Sequence, residues 1–172
     1  LKLCNYIKKQ DKIFQYKTVI PCNLYGEYDN FDRKNSHLIA AIIRKVHNAI
    51  IENEERVNIW GDGKVKREFL YVGDFVDFLI EAIKRFDELP YLMNVGTGFD
   101  LTVNDYYYTI SEILGYKGKF QHDLEKPVGM ERKMVDVSKM KYFKWKPSTD
   151  ISTAIKNTYK YYLENILTNE KI

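Results

Sequence analysis

VNIWGDGKVKREFLYVGDFVDFLIEAIKRF, residues 57–86, changes its apolar rhythm partway along. Its first half, VNIWGDGKVKREFLYV, is two extended runs with Asp62-Gly63 at the bend, a dipeptide that suits a hairpin or a tight strand connection. Its second half, GDFVDFLIEAIKRF, is an amphipathic helix with Asp74 placed to cap its start. Working outward, YLMNVGTG reads as a buried strand ending in glycines. Thr102 then caps the helix VNDYYYTISEILG, which Gly115 closes. Upstream, LKLCNYIKKQ fits the tail of an amphipathic helix, YKTVIPCNLYG a short apolar strand ending in a Gly turn, and NSHLIAAIIRKVHNAIIE a helix from Ser36 to about Glu52. Downstream, GKFQHD and KMVDV are short strand candidates, SKMKYF a short helix before Pro147, and ISTAIKNTYKYYLENIL a long helix. Strands and helices alternate without internal repeats, so the class is α/β, and composition marks no domain boundary within residues 1–172.

The chain has 172 residues, 45% of them apolar and 30% charged, which suits one globular unit with a real core. The net charge of +3 is spread among 24 acids, so no basic block is available for wrapping nucleic acid, and a local cationic cluster would suit a small anion. Cys4 and Cys22 lack metal-type spacing and read as reduced thiols, and no metal site is expected. Without a signal peptide or a run of about 18 apolar residues, the expectation is a soluble, cytoplasmic protein with no membrane partner. The chain begins at Leu1, inside a helix already under way, as a piece of something longer would.

His37 is the residue that needs explaining. In the helix after Ser36, Ile39, Ile42, Ile43, Val46 and Ile50 gather on one stripe, and His37 falls nearly opposite it. Arg44 lies almost beneath His37, with Ala41 between them and Lys45 to one side. The face is small and cationic, and the helix start offers free N–H groups to an anion. Two readings stand: plain solvent exposure, or a proton donor or acceptor beside an anion clamp.

VIPCNLYGEYDNF, NSHLIAAIIRK, VNIWGDGKVKREFLYVGD, MNVGTG and KPVGMERKMVDVSKM with WKP follow one another, from about Val19 to Pro147, in the order and spacing of the GDP-L-fucose synthase family. The chain resembles the C-terminal half of such an extended short-chain dehydrogenase/reductase. The resemblance implies the last strands of a Rossmann-like parallel sheet plus a small α/β substrate-binding cap. The family's N-terminal cofactor half, with its Gly-rich NADP turn, catalytic Ser and Tyr-x-x-x-Lys, has no counterpart in this sequence. Tyr142 and Lys146 in YFKWK copy the last spacing, but Pro147 follows directly and disfavours the helix that pair requires. GDGK likewise lacks the spacing of a phosphate loop.

By resemblance, the activity is epimerisation of a GDP-4-keto-6-deoxy sugar and its reduction with NADPH to a GDP-L-fucose-type product, by an enzyme that is a homodimer at full length. His37 matches the family's acid, whose cysteine partner is neither Cys4 nor Cys22. Asn23 matches a substrate-side asparagine, Lys45 a position where relatives carry Arg, Arg67 the arginine that holds the nucleotide, and Trp60 a cleft tryptophan, although a core tryptophan is the other reading. Lys126 and Arg132 match a lysine and an arginine facing the sugar nucleotide. Pro21 and Leu24 sit where the family's backbone approaches the nicotinamide. Glu27, Gly73, Val128 and Glu131 depart from the family pattern, so the sugar is left open between a deoxyhexose and a heptose. The competing readings are a nucleotide-sugar 4-epimerase or dehydratase, and a fragment that binds a sugar nucleotide without turnover.

Overall fold

The computed structural model describes residues 1–11 and 13–168. In chain order the elements are α1 (Lys2–Gln10), β1 (Thr18–Pro21), β2 (Asn23–Tyr25), α2 (Leu38–Ile51), β3 (Arg56–Trp60), β4 (Lys66–Arg67), β5 (Phe69–Tyr71), α3 (Val72–Lys84), β6 (Leu92–Val95) and β7 (Leu101–Thr102). They are followed by α4 (Val103–Leu114), β8 (Lys119–Asp123), β9 (Arg132–Lys133), α5 (Ser138–Tyr142) and α6 (Ile151–Tyr161). The class is mixed α/β, as expected, and most strand pairs are parallel.

YKTVIPCNLYG is one extended segment that changes neighbour midway. β1 pairs in parallel with β6, from Thr18 opposite Leu92 to Pro21 opposite Val95, and the Cys22 N–H still reaches the Val95 carbonyl at 2.8 Å. Beyond Cys22, β2 pairs in parallel with β5, Asn23 facing Phe69 and Tyr25 facing Tyr71. β3 pairs in parallel with β8, and β4 lies between antiparallel β7 and parallel β9.

The Asp62-Gly63 bend is therefore a tight connection and not a hairpin, since β3 and β4 never pair. The turn itself is well made. The Lys64 N–H donates to the Asp62 carboxylate at 3.0 Å, and the Asn104 side chain and N–H bond the Asp62 and Gly63 carbonyls. Gly63 has φ +68°, and a Cβ there would collide with the Asn104 amide. Held by the start of α4, the turn sends β4 into a different sheet from β3.

α4 is closed as the sequence implies. Thr102 and Asp105 form a reciprocal capping box, and Gly115 ends the helix in the left-handed conformation at φ 80°. Asp74 departs from expectation: α3 begins at Val72, and the Asp74 carboxylate turns away from its own helix end. It is 3% exposed and accepts hydrogen bonds from the N–H and hydroxyl groups of Ser148 and Thr149, tying α3 to the segment before α6. Asp74→Ala removes the buried acceptor of these bonds, and a loss of about 1–3 kcal/mol is expected in urea unfolding. An unchanged midpoint would remove the tie from the account. KMVDV also differs, because ladder pairing stops at Lys133 and the Val135 N–H bonds the Glu68 carboxylate instead of a neighbouring strand.

Two apolar cores result. One gathers Ile39, Ile42, Ile43 and Val46 of the α2 stripe with Ile59, Ile110 and Ile155, and Ile50 packs at its margin. The other gathers Leu70, Phe78, Met93, Val95, Met140 and Phe143. α1 buries no side chain among the described residues, and no helix is long and apolar enough to cross a membrane.

Candidate active site

A cleft of about 460 Å³ opens where the cores meet the surface, walled by Leu24 of one and by Val65, Phe69 and Tyr107 of the other. The sequence-derived candidates His37, Asn23, Lys45, Trp60, Arg67 and Leu24 line it together. Pro21, Lys126 and Arg132 do not.

His37 is the N-cap residue of α2, one position before the first helical residue and not within the first turn. Its carbonyl accepts from the Ala41 N–H at 2.9 Å, so Ala41 lies below it on the cleft face, as the wheel implies. The α2 start has no side-chain cap, which leaves amide donors at the cleft wall. The His37 side chain is 73% exposed, and its Nδ1 stands 3.2 Å from the Asp29 carboxylate.

Six cationic side chains line the cleft: Arg33, Lys34, Arg44, Lys45, Arg67 and Lys133. No carboxylate lines it, and among the described residues none of the six forms an ion pair. Four of them bond neutral oxygens. Arg44 donates to the Phe31 and Arg33 carbonyls, Lys45 to the Asn58 carbonyl and the Tyr107 hydroxyl, Arg67 to the Lys66 carbonyl, and Lys133 to the Asn23 side-chain oxygen. Unneutralised positive charge crowded into a partly desolvated cleft is stabilised by an anion. Lys45 shows the strain, since burial first and the Arg44 charge second hold its ammonium below the ordinary lysine range.

Trp60 is 59% exposed at the rim, which removes the core reading. The ammonium groups of Lys45 and Lys126 lie 5.2 and 5.8 Å from its ring centroid, so Lys126 joins the rim through the indole. Arg132 points elsewhere and pairs with Asp100. Side chains alternate along a strand, so β9 turns Arg132 outward and its neighbour Lys133 into the cleft. Arg33, Lys34 and Lys133 are lining residues that the sequence reading did not single out. Pro21 stands at the end of β1 opposite Val95. Cys22 does not line the cleft, and burial and then the Glu68 carboxylate push its thiol up to about 12. Tyr142 is 86% exposed on a five-residue helix, which discounts the YFKWK spacing.

The chain is similar in sequence and fold to known proteins. The chain is 49% identical over 162 residues to a GDP-L-colitose synthase of Yersinia pseudotuberculosis, covering 94% of this chain and 53% of that protein. It is 44% identical to a GDP-L-fucose synthase of Azorhizobium caulinodans, covering 95% of this chain and 52% of that protein. The chain thus spans about half the length of the curated relatives it matches. Among solved structures, a GDP-6-OMe-4-keto-L-xylo-heptose reductase from Campylobacter jejuni superposes with a TM-score of 0.81 at 25% identity, over 94% of this chain and 57% of that one. A GDP-mannoheptose C4 reductase from the same organism, solved with NADP bound, gives 0.76 at 28% identity, over 94% and 53%. The NAD dependent epimerase/dehydratase family model matches residues 1–96, more than half of the chain, and the protein belongs to that family.

Proposed function

We propose that these residues are the substrate-binding half of an NADPH-dependent epimerase/reductase that converts a GDP-4-keto-6-deoxy sugar to a GDP-L-fucose-type product. The observation that carries the reading is the cleft itself, lined by six cations that form no ion pair among the described residues and by an exposed histidine. A diphosphate would satisfy the cations, Trp60 offers a flat apolar wall at the rim, and His37 lines the same cleft, where it would meet the sugar. Epimerisation beside a carbonyl passes through a carbanion that the keto group stabilises, and it requires an acid able to reach that carbon. His37 is that acid here.

NADPH would supply the hydride for the reduction. Pro21 and Leu24 lie on the segment leaving the C-terminal end of β1, where open parallel sheets bind ligands, and Leu24 reaches the cleft wall. They are the residues of this chain that would contact the nicotinamide side. Val128, one of the departures from the family pattern, lines the cleft and packs against Gly61, which makes it a candidate for sugar selection between deoxyhexose and heptose. A cytoplasmic homodimer is the assembly this reading carries.

The test is NADPH absorbance after mixing the full gene product with a GDP-4-keto-6-deoxyhexose in deuterated water. Oxidation with deuterium at the sugar carbons flanking the carbonyl is expected. Oxidation without deuterium would reduce the reading to a reductase. Tight binding of the GDP-sugar with no oxidation would leave a binding protein, and absence of both would overturn the proposal.

A further inference from the structure

The loop between β2 and α2 is built with more care than a connection needs. Tyr28 sits at φ 66°, a left-handed conformation that a bulky residue adopts at a cost. Asp29 follows immediately. The Asp32 carboxylate accepts the N–H groups of Lys34 and Asn35, both at 2.9 Å, and the Asn30 side chain accepts the Asp32 N–H. From α2, Arg44 clamps the same loop through the carbonyls of Phe31 and Arg33, at 2.6 and 3.1 Å. All this holds Asp29 behind His37, its side chain only 10% exposed where that of His37 is 73% exposed. Oδ1 of Asp29 accepts the Asn30 N–H at 2.7 Å and lies 3.2 Å from His37 Nδ1. Its Oδ2 is buried with no hydrogen-bond partner, the one such side-chain atom among the described residues.

A half-satisfied buried carboxylate is costly unless a donor or a positive charge answers it. His37 is the donor within reach. We propose that Asp29 is a positioning residue that holds His37 as the Nδ1–H tautomer, leaving Nε2 as the atom that exchanges protons with the sugar. This role rests on the reading of His37 as the epimerisation acid. In the donating step the Nε2–H bond breaks, its electron pair stays on nitrogen, and the carbanion pair forms the new C–H bond. The imidazole left behind is neutral and keeps its Nδ1–H on Asp29. Without the carboxylate, either nitrogen carries the proton and the ring turns freely at the mouth of the cleft. Arg33, Lys34, Arg44 and Lys45 on this side are cationic, and the neighbouring Asp32 carboxylate accepts the loop's own Lys34 and Asn35 N–H groups, so Asp29 supplies the acceptor for His37.

The two other histidines provide internal contrasts. His122 Nε2 stands 2.9 Å from the Asn104 side-chain oxygen, and His47 Nδ1 stands 2.9 Å from the Tyr159 hydroxyl. The experiment is nitrogen-15 NMR of the histidine side chains in the full gene product, with His37→Gln to assign the signal. Neutral His37 is expected as the Nδ1–H tautomer, opposite to His122, which donates from Nε2. In Asp29→Ala, which removes the acceptor altogether, the His37 tautomer preference is expected to be lost. Solvent-deuterium incorporation should fall by about 100-fold, with GDP affinity unchanged. An Nε2–H tautomer in the unaltered protein, or an unaltered His37 signal in Asp29→Ala, overturns the proposal. Should Asp29→Ala not fold, the tautomer of the unaltered protein still decides. If His37→Asn leaves deuterium incorporation unchanged, the acid reading fails, whereas the tautomer measurement reports on the pair regardless.

Discussion

His37→Asn in the full gene product is expected to reduce solvent-deuterium incorporation into the GDP-sugar by a factor on the order of 100 to 10,000, the usual contribution of a positioned acid. The protein should remain folded. His37 occupies the N-cap position of α2 with an extended backbone and makes no side-chain cap bond. Asn is among the best residues for that position and would bond a free N–H of the first turn. A fall in isotope incorporation with an unchanged or slightly raised melting temperature therefore isolates the chemical role. Incorporation at the original rate would return His37 to an exposed residue that merely borders the cleft.

Glu68→Gln is expected to lower stability by on the order of 3 kcal/mol. Glu68 is fully buried, and its two carboxylate oxygens accept the N–H of Gly98 at 2.7 Å, the N–H of Val135 at 2.8 Å and the Thr97 hydroxyl at 3.2 Å. An amide in its place turns an NH2 group toward one of these donors, opposing donor to donor at a buried side chain. The Glu68 main chain also receives the Asn23 side chain at 2.9 Å and donates to the Lys133 carbonyl. Loss of the carboxylate should therefore loosen β2 and β9 together and weaken GDP-sugar binding at Asn23 and Lys133. A urea unfolding curve with an unchanged midpoint would contradict this account.

The elements that the sequence makes plain are those decided within a few residues. The α2 stripe, the Thr102 cap and the Gly115 stop depend on spacing and local backbone preference, and all three appear as read. Partners distant in the chain leave no such trace. Asp62-Gly63 carries the same turn signal whether the flanking strands pair or part, and only β8 and β7, much later in the chain, decide that they part. Asp74 has the composition of a cap, and its use as an acceptor depends on Ser148 and Thr149. The cleft shows the same division. Motifs point to Trp60, Arg67 and Lys45, whereas they point to Arg132 and not to Lys133, because one step along a strand exchanges inside for outside.

The neighbour change at Cys22 has a consequence for how the chain acquires its shape. β1 waits for β6 and β2 for β5, so one short extended segment cannot be completed until residues as distant as Val95 have been synthesised. β4 likewise lacks its second neighbour until Lys133 exists. With no adjacent strands paired as a hairpin among the described residues, no strand pair can form early and cheaply, and each pairing bears the entropy of closing a long loop. Helices such as α2 and α4, which pack on each other, are the structures available to form first. The cleft is thus among the last features to mature as the chain leaves the ribosome, and the anion it is built for would favour its completion.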